Sequence, residues 1–121
     1  MNLNDILIID DEVDICFLLD NKLRKKNFKV SYAHNLKDGF SKLAFIQPFL
    51  LFLDISLPDG SGLNAISKIK LLYPSIKIII ISAYDSANER NTAKKQGADM
   101  FIGKPFSEEM IYTTLDKIRT E

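Results

Sequence analysis

The sequence predicts a doubly wound α/β domain, in which one five-stranded parallel sheet lies between two layers of helices. Short apolar runs alternate with longer segments of helical pattern, which is typical of successive strand–helix units. The runs occupy residues 6–9, 28–32, 49–53, 76–81 and 100–102. The first, third and fourth runs are nearly unbroken in isoleucine, leucine and phenylalanine. Strands that are covered on both faces have this composition, so we expect helices on both sides of the sheet.

The order of the strands follows from the two runs that look like edges. The second run alternates apolar and polar residues, and the fifth run is short, and both features suit an edge strand. Five strand–helix units with these two edges match the order 2-1-3-4-5, in which right-handed crossovers place helices on both faces of the sheet.

The ends of the helices are marked by capping residues. Ser86 and Glu89 have the spacing of a capping box, and Gly97 follows as a predicted C′ residue of the fourth helix. The third helix is expected to stop before Pro74, because the residue preceding a proline avoids the α region. The predicted N-caps of the second and third helices are Asn35 and Ser61. Ser107 precedes Glu108 and Glu109, two acids that suit the first turn of the fifth helix.

Composition and charge restrict the classes of function. Sixteen basic and sixteen acidic residues balance, which gives no electrostatic reason to expect nucleic acid or an anionic membrane as a partner. There is no run of 18 apolar residues, and the first residues lack the basic segment of a signal peptide. Cys16 is the single cysteine and cannot form an internal disulfide. We therefore expect one cytoplasmic domain over residues 1–121.

Polar residues follow the strands at the edge of the sheet where open α/β proteins bind ligands. These residues are Asp10 and Asp11 after the first run, Asp54 after the third, Ser82 after the fourth and Lys104 after the fifth. Carboxylate oxygens suit Mg²⁺, and a lysine ammonium binds phosphate. The sequence therefore predicts a cation site with a phosphate site beside it.

Each of these residues also has an ordinary structural role. Asp10 or Asp11 can cap the first helix, and Asp54 can start a surface turn. Ser82 can be a turn residue, and Lys104 can be a solvated lysine. It is the combination at four strand ends that favours a site, in which the Asp54 carboxylate can act as a nucleophile and form an aspartyl phosphate.

The chain resembles the receiver domains of two-component response regulators along essentially its whole length. The resemblance rests on residues 6–12 (ILIIDDE), on Asp54 with Leu57, Pro58 and Gly62, on residues 80–83 (IISA) and on residues 104–106 (KPF). It implies a flavodoxin-like fold of the receiver type, and a single-domain phosphoryl-accepting switch in a phosphorelay. It also implies that the chain assists its own phosphorylation and dephosphorylation and is not an enzyme acting on an outside substrate.

The resemblance also implies roles for individual residues. Asp54 is the expected phosphoacceptor, and Mg²⁺, or Mn²⁺ as a substitute, is the expected cofactor. Asp11, Asp54 and the backbone carbonyl of Ser56 are the expected metal ligands, with Asp10 acting through water. Lys104 is expected to pair with the phosphoryl group.

The resemblance further implies a switch and a set of partners. Ser82 is the expected switch hydroxyl and Phe101 the aromatic that follows it, and together they alter the face formed by the fourth helix, fifth strand and fifth helix. The phosphodonor is expected to be a histidine kinase or a histidine phosphotransfer protein, and the target a downstream protein. The expected donor-docking patch comprises Ile15, Leu18, Pro105 and Phe106, with ordinary core packing as the alternative for Ile15 and Leu18. A cis Lys104–Pro105 peptide bond is implied as well.

Two positions differ from the usual pattern of the family. Ser61 stands where many receivers have aspartate, but serine can also cap a helix. Tyr84 lies two residues after Ser82, and its bulk suggests the hypothesis that water reaches an acyl phosphate slowly.

Three other classes of protein remain as alternatives. A phosphohydrolase that forms an aspartyl phosphate would carry its nucleophile and a second aspartate two residues apart after the first strand. A flavodoxin-like electron carrier would need a phosphate-cradling loop there, and Asp10 and Asp11 would repel the flavin phosphate. A phosphorylation-independent interaction module would be expected to lack one of the site residues. Mg²⁺-dependent labelling by a small phosphodonor, lost in Asp54→Ala, separates the receiver from all three.

Overall fold

The helices and strands alternate along the chain, and the computed structural model describes residues 2–120 and the side chains of residues 3–119. In this part of the chain, the sheet contains β1 (Asn2–Ile9), β2 (Lys29–Ala33), β3 (Pro48–Asp54), β4 (Lys77–Ser82) and β5 (Met100–Gly103). The helices are α1 (Val13–Arg24), α2 (Leu36–Ile46), α3 (Gly62–Leu72), α4 (Ala87–Gln96) and α5 (Glu108–Thr120). The predicted domain span of 1–121 includes Met1 and Glu121, which lie outside the described residues.

The strand order is β2-β1-β3-β4-β5, and every neighbouring pair is parallel. The predicted fold class and order are therefore confirmed, with β2 and β5 at the edges. Each apolar run of the sequence coincides with a strand, and the bounds agree to within one residue except at the start of β1. That strand begins four residues earlier than its apolar run, because Asn2 still pairs with Pro48 of β3.

The core lies in two layers, one on each face of the sheet. On β1, Ile6 and Ile8 face one layer, which includes buried residues of α1 and α5. Leu7 and Ile9 face the other layer, which includes buried residues of α2, α3 and α4. Alternate residues of the strand thus serve opposite faces, and this is the reason for its unbroken apolar sequence.

The predicted caps are confirmed for three helices, and Ser107 caps a fourth. In each, the side-chain oxygen of the capping residue accepts a backbone N–H of the first turn, at 2.8–3.2 Å. The capping residues are Asn35, Ser61, Ser86 and Ser107. Gly97 ends α4 with a left-handed φ of 114°, and α3 ends at Leu72, ahead of Pro74.

A short hairpin connects β3 to α3 and was not predicted as strand. Ser56–Leu57 pairs antiparallel with Gly60–Ser61, and we call this segment the β3–α3 hairpin. Its base is closed by a hydrogen bond from the Gly62 amide to the Ile55 carbonyl, at 2.7 Å. A Cβ at Gly62 would lie 2.0 Å from the backbone oxygen of Asp54, so only glycine allows this close approach. The hairpin is thus packed directly against the end of β3.

No helix among residues 2–120 combines the length and the apolar character that crossing a membrane requires.

Candidate metal and phosphoryl-acceptor site

The predicted site residues lie along one edge of the sheet. Asp54 and Ser82 are the last residues of β3 and β4, while Asp10 directly follows β1 and Lys104 directly follows β5. Parallel pairing sets Asp54 opposite Ile81, next to Ser82, so the ends of the two strands coincide. Asp10 and Ser82 are fully buried and Asp54 is 4% exposed. Burying a carboxylate costs free energy unless a cation or hydrogen bonds compensate it. Two buried carboxylates at this edge of the sheet therefore indicate a functional site.

The Lys104 ammonium is shared among three carboxylates. Its Nζ lies 2.9 Å from Asp10 Oδ2, 2.9 Å from Glu12 Oε1 and 3.5 Å from Asp54 Oδ2. The Lys104 side chain is 8% exposed, so these contacts are largely shielded from water. Burial opposes the charge of Lys104, but the hydrogen bonds with Asp10 and Glu12 outweigh it and raise the pKa of the ammonium. Lys104 is therefore a fixed positive charge beside Asp54 and not a solvated lysine.

Three acids come together around this ammonium. Carboxylate oxygens of Asp10, Glu12 and Asp54 all lie within 4.8 Å of one another. Such a group of hard oxygen donors fits Mg²⁺, which binds through one or two carboxylates and retains several waters. One lysine cannot neutralise three carboxylates, so the donor set as it stands leaves room for a further cation.

Glu12 was not predicted as part of this group, whereas Asp11 was. Asp11 is exposed and does not belong to the described group of three acids. Its role as a metal ligand stays a prediction, as does that of the Ser56 carbonyl. The signal for Glu12 was its place as the third consecutive acid before α1, but only the structure shows that its side chain contacts Lys104.

The electrostatic environment of Asp54 reflects the excess of negative charge. Burial, and next the negative charge of Asp10, raise the pKa of Asp54 to about 6, against the opposing effects of Lys104 and the Ser56 amide. A carboxyl whose pKa is raised by desolvation and a nearby like charge is typical of functional sites. A divalent cation would favour the ionised form that a nucleophile requires.

Asp10 also has a structural role, as its alternative interpretation allowed. Its Oδ1 accepts the Glu12 amide at 2.8 Å, which fixes the turn into α1. The backbone carbonyl of Asp10 accepts hydrogen bonds from Cys16 Sγ at 3.3 Å and from His34 Nδ1 at 2.9 Å. His34 is half-buried and supports the site from behind.

The two predicted switch residues lie near the site but not side by side. The Ser82 hydroxyl accepts the Tyr84 amide at 2.9 Å, and the Ser82 carbonyl accepts the Lys104 amide at 2.7 Å. Phe101 is half-buried, and the guanidinium carbon of Arg90 lies 4.8 Å from the centre of its ring. Ser82 pairs with Gly103, two residues beyond Phe101. The switch roles of both residues stay predictions.

The predicted docking residues divide between the core and the surface. Ile15 and Phe106 are half-buried and pack against the same core layer, so for Ile15 the alternative of core packing is realised in part. Leu18 is 39% exposed and Pro105 is exposed. The structure adds Val13 and Phe17 of α1, which are 65% and 70% exposed. The implied cis Lys104–Pro105 bond is confirmed.

Comparisons with known sequences agree with this geometry. The model of the response regulator receiver domain matches residues 6–116. Chemotaxis protein CheY of Listeria monocytogenes is 32% identical over 113 residues, which are 93% of this chain and 95% of that protein. Response regulator protein PilR of Pseudomonas aeruginosa is 39% identical over 106 residues, which are 87% of this chain. The chain spans about a quarter of the length of PilR and of the similar transcriptional regulatory proteins.

Comparisons with solved structures show the same fold. A two-component response regulator from Clostridium difficile has a TM-score of 0.93 and 27% identity, over 98% of this chain and 97% of that one. The beryllofluoride-activated NtrC4 receiver domain dimer has a TM-score of 0.90 and 30% identity, over 96% of each chain. With the family model covering nearly the whole sequence and the acid–lysine edge in place, the chain belongs to the response regulator receiver domain family.

Proposed function

We propose that this chain is a signalling switch in which Asp54 accepts a phosphoryl group from a phosphohistidine. The observation that carries the proposal is the buried Lys104 ammonium, which lies within 3.5 Å of carboxylate oxygens from both Asp10 and Asp54. An amine fixed beside a nucleophilic carboxylate at a sheet edge has one evident use, the neutralisation of an incoming anion. A single-domain electron carrier would not place a buried nucleophile there.

Each residue of the site has a different role in phosphoryl transfer. Asp54 attacks phosphorus in line with the departing imidazole, while the Lys104 ammonium neutralises charge on the transferring oxygens. Lys104 is nearer to Asp10 and Glu12 than to Asp54, so it must move toward the new phosphoryl oxygens. Bound Mg²⁺, or Mn²⁺ in its place, would supply further neutralisation and orientation at the acids. Asp54 with Asp11 or Glu12, and the Ser56 carbonyl, would hold the ion, with Asp10 acting through water.

Ser82 and Phe101 then convert the modification into a change of surface. The Ser82 Oγ accepts a hydrogen bond from the Tyr84 amide, and its O–H can donate a hydrogen bond to a phosphoryl oxygen. Movement of Ser82 would free space for Phe101, and the face formed by α4, β5 and α5 would change its affinity for a downstream protein. Such coupling between two sites is typically worth about 1–3 kcal/mol.

The donor is a histidine kinase or a histidine phosphotransfer protein that docks beside the site. The exposed apolar side chains of Val13, Phe17 and Leu18 on α1, with Pro105 and Phe106, form the surface that we assign to it. Docking here would bring the donor histidine to the edge that holds Asp54. We propose a cytoplasmic location, with no direct binding of nucleic acid or membrane.

Labelling with a small phosphodonor such as acetyl phosphate tests the proposal. The intact protein is expected to gain the mass of one phosphoryl group, only when Mg²⁺ is present, and Asp54→Ala should abolish the gain. Asp38→Ala removes an exposed acid and serves as the matched control. Comparing Asp11→Ala with Glu12→Ala then shows which acid the metal requires. Undiminished labelling of Asp54→Ala would overturn the assignment of the phosphoacceptor.

A further inference from the structure

The first turn of α2 is capped by two side chains, and one of them comes from a distant part of the chain. Asn35 Oδ1 accepts the Asp38 amide at 2.8 Å, as a local N-cap does. The amides of Leu36 and Lys37 instead donate to Oδ1 and Oδ2 of Asp59, at 2.7 Å and 2.9 Å. The three amide groups at the start of the helix are thereby satisfied by side chains.

Asp59 belongs to the β3–α3 hairpin and stands in its two-residue turn with Pro58. Gly60, the next residue, also packs closely on α2. A Cβ at this position would lie only 3.1 Å from Leu36 Cδ1. Its φ of 153° is one that side-chain-bearing residues rarely adopt. The tip of the hairpin is therefore held to α2 both by hydrogen bonds and by close contact.

The other end of the same hairpin lies against the phosphoacceptor. The backbone amide of Ser56 lowers the pKa of the Asp54 carboxyl, against the larger effect of burial. Gly62 packs on the backbone oxygen of Asp54, and Ser61 caps α3. Ser56 thus lies between two fixed points of the hairpin. One is the Gly62–Ile55 hydrogen bond that closes it, and the other is its turn, which the Asp59 carboxylate holds to α2.

We propose that Asp59 is a positioning residue for the metal site, which it supports by tying the β3–α3 hairpin to α2. Asp59 lies three residues from Ser56 and acts through the hairpin backbone, without touching the ion. Ser56 and Leu57 pair with Ser61 and Gly60, so a tip held on α2 fixes the register and the position of the strand that carries Ser56. The inference rests on the proposed function, since it concerns the Mg²⁺ that serves Asp54.

The alternative is that Asp59 merely supplies one negative charge near a cation site. Asp38 provides the control for this, because it stands in the same helical turn and its carboxylate accepts from Asn35 Nδ2, not from the hairpin. Asp59→Asn and Asp38→Asn each remove one negative charge from the same helix end. Only Asp59→Asn weakens the tie, because an NH2 group, which cannot accept from a backbone amide, replaces one of the two carboxylate oxygens.

Titration calorimetry of the unphosphorylated protein with Mg²⁺ is the measurement. Loss of a group that supports a metal ligand from behind typically weakens affinity by 10–100-fold, and we expect about tenfold for Asp59→Asn. Asp38→Asn should stay within about twofold of the parent, since a screened surface charge contributes little. Hydrogen exchange of the Ser56 amide should accelerate in Asp59→Asn and remain unchanged in Asp38→Asn.

Equal Mg²⁺ affinities for the two variants would overturn the proposal, because charge alone would then account for both. Unchanged exchange at Ser56 would also contradict it. If Asp59→Asn does not fold, Asp59→Ser, which keeps one short acceptor, takes its place in the same comparison. Acetyl phosphate labelling of the parent is scored separately, so failure of the phosphoacceptor assignment is distinguishable from failure of the tie.

Discussion

Asp54 shows how a single side chain can be costly to the fold and necessary to the site. Its pKa is raised from 3.8 to about 6, first by burial and then by Asp10. A carboxyl whose pKa is higher in the folded state than in the unfolded state lowers the stability of the fold at every pH where the unfolded chain would ionise it. This penalty is complete above about pH 6, shrinks as the pH falls toward 3.8, and is absent when both states are protonated.

Replacing Asp54 by asparagine should therefore stabilise the metal-free protein at neutral pH. The expected gain in the free energy of unfolding is about 1–3 kcal/mol, and it should vanish in acid, below pH 3.8. Urea unfolding of parent and variant across this range, in the presence of a chelator, measures the difference. A gain that persists unchanged in acid would show that something other than ionisation is responsible.

Tyr84 is the residue for which the phosphoryl lifetime can be tested. Its side chain is 62% exposed, while its amide donates to Ser82 Oγ, so truncation changes bulk near the site and leaves that bond in place. Tyr84→Ala is expected to shorten the lifetime of phosphorylated Asp54 severalfold, because water would reach the acyl phosphate more easily. The release of inorganic phosphate after removal of the donor gives the rate.

Tyr32→Ala is the matched control, since Tyr32 is another exposed tyrosine but lies on the edge strand β2. If both variants lose phosphate at the parental rate, the hypothesis that Tyr84 shields the phosphoryl group fails.

Individual residues of the candidate site could be predicted where their position at the end of an apolar run determines where they lie in the fold. Asp10, Asp54, Ser82 and Lys104 follow apolar runs, and parallel pairing brings the ends of such runs together. The contact of Glu12 with Lys104 joins residues 92 positions apart and depends on a side-chain direction that no periodicity encodes. The same holds for Asp59. The neighbouring Pro58 and Gly60 are typical of a turn, but they do not tell which residues the turn contacts.

At the level of elements, the helix ends are the features that the sequence describes best. Capping depends on one side chain and on amides two or three residues away, so a local pattern contains all the necessary information. The β3–α3 hairpin escaped prediction as strand because its pairing is only two residues long and its residues suggest turns. The extension of β1 was missed because three of its first four residues are polar and form no apolar run.

The cap of α4 gives a test at this scale. Ser86 Oγ accepts the Glu89 amide at 3.1 Å, so Ser86→Ala should lower the free energy of unfolding by about 1 kcal/mol. Ser67→Ala makes the same chemical change at an exposed position inside α3, where alanine is the better helix former. Chemical denaturation should show a loss for Ser86→Ala and none for Ser67→Ala. Equal losses would mean that the cap contributes nothing.

For the molecule as a whole, stability depends on the two core layers beside the sheet. Phe52 of β3 has no exposed surface, and its replacement by alanine should cost about 3–5 kcal/mol. Such a loss is a large share of the 5–15 kcal/mol that typically stabilises a domain, so a lower thermal midpoint is expected. Phe45→Ala is the control, because Phe45 is 92% exposed and its loss should change stability by less than about 0.5 kcal/mol.

Topology at this scale could be predicted because few arrangements satisfy the pattern. Three doubly covered strands and two edge-like ones, joined by right-handed crossovers, leave only a few orders that place both edges correctly, and the observed order is one of them. The allocation of helices to the two faces follows from handedness and not from any residue, and it agrees with the contacts of the two core layers.

The sheet has one further property of practical use. Leu3, near the start of β1, lines the same cavity as Ile118 and Arg119, near the end of α5. Both described ends of the chain thus lie together, at the amino ends of the strands. Asp54 lies at the other edge of the sheet, at the carboxyl ends of the strands. A fluorescent reporter or immobilisation tag grafted at either end would stand clear of an approaching kinase, so surface-attached protein should remain open to phosphorelay assays.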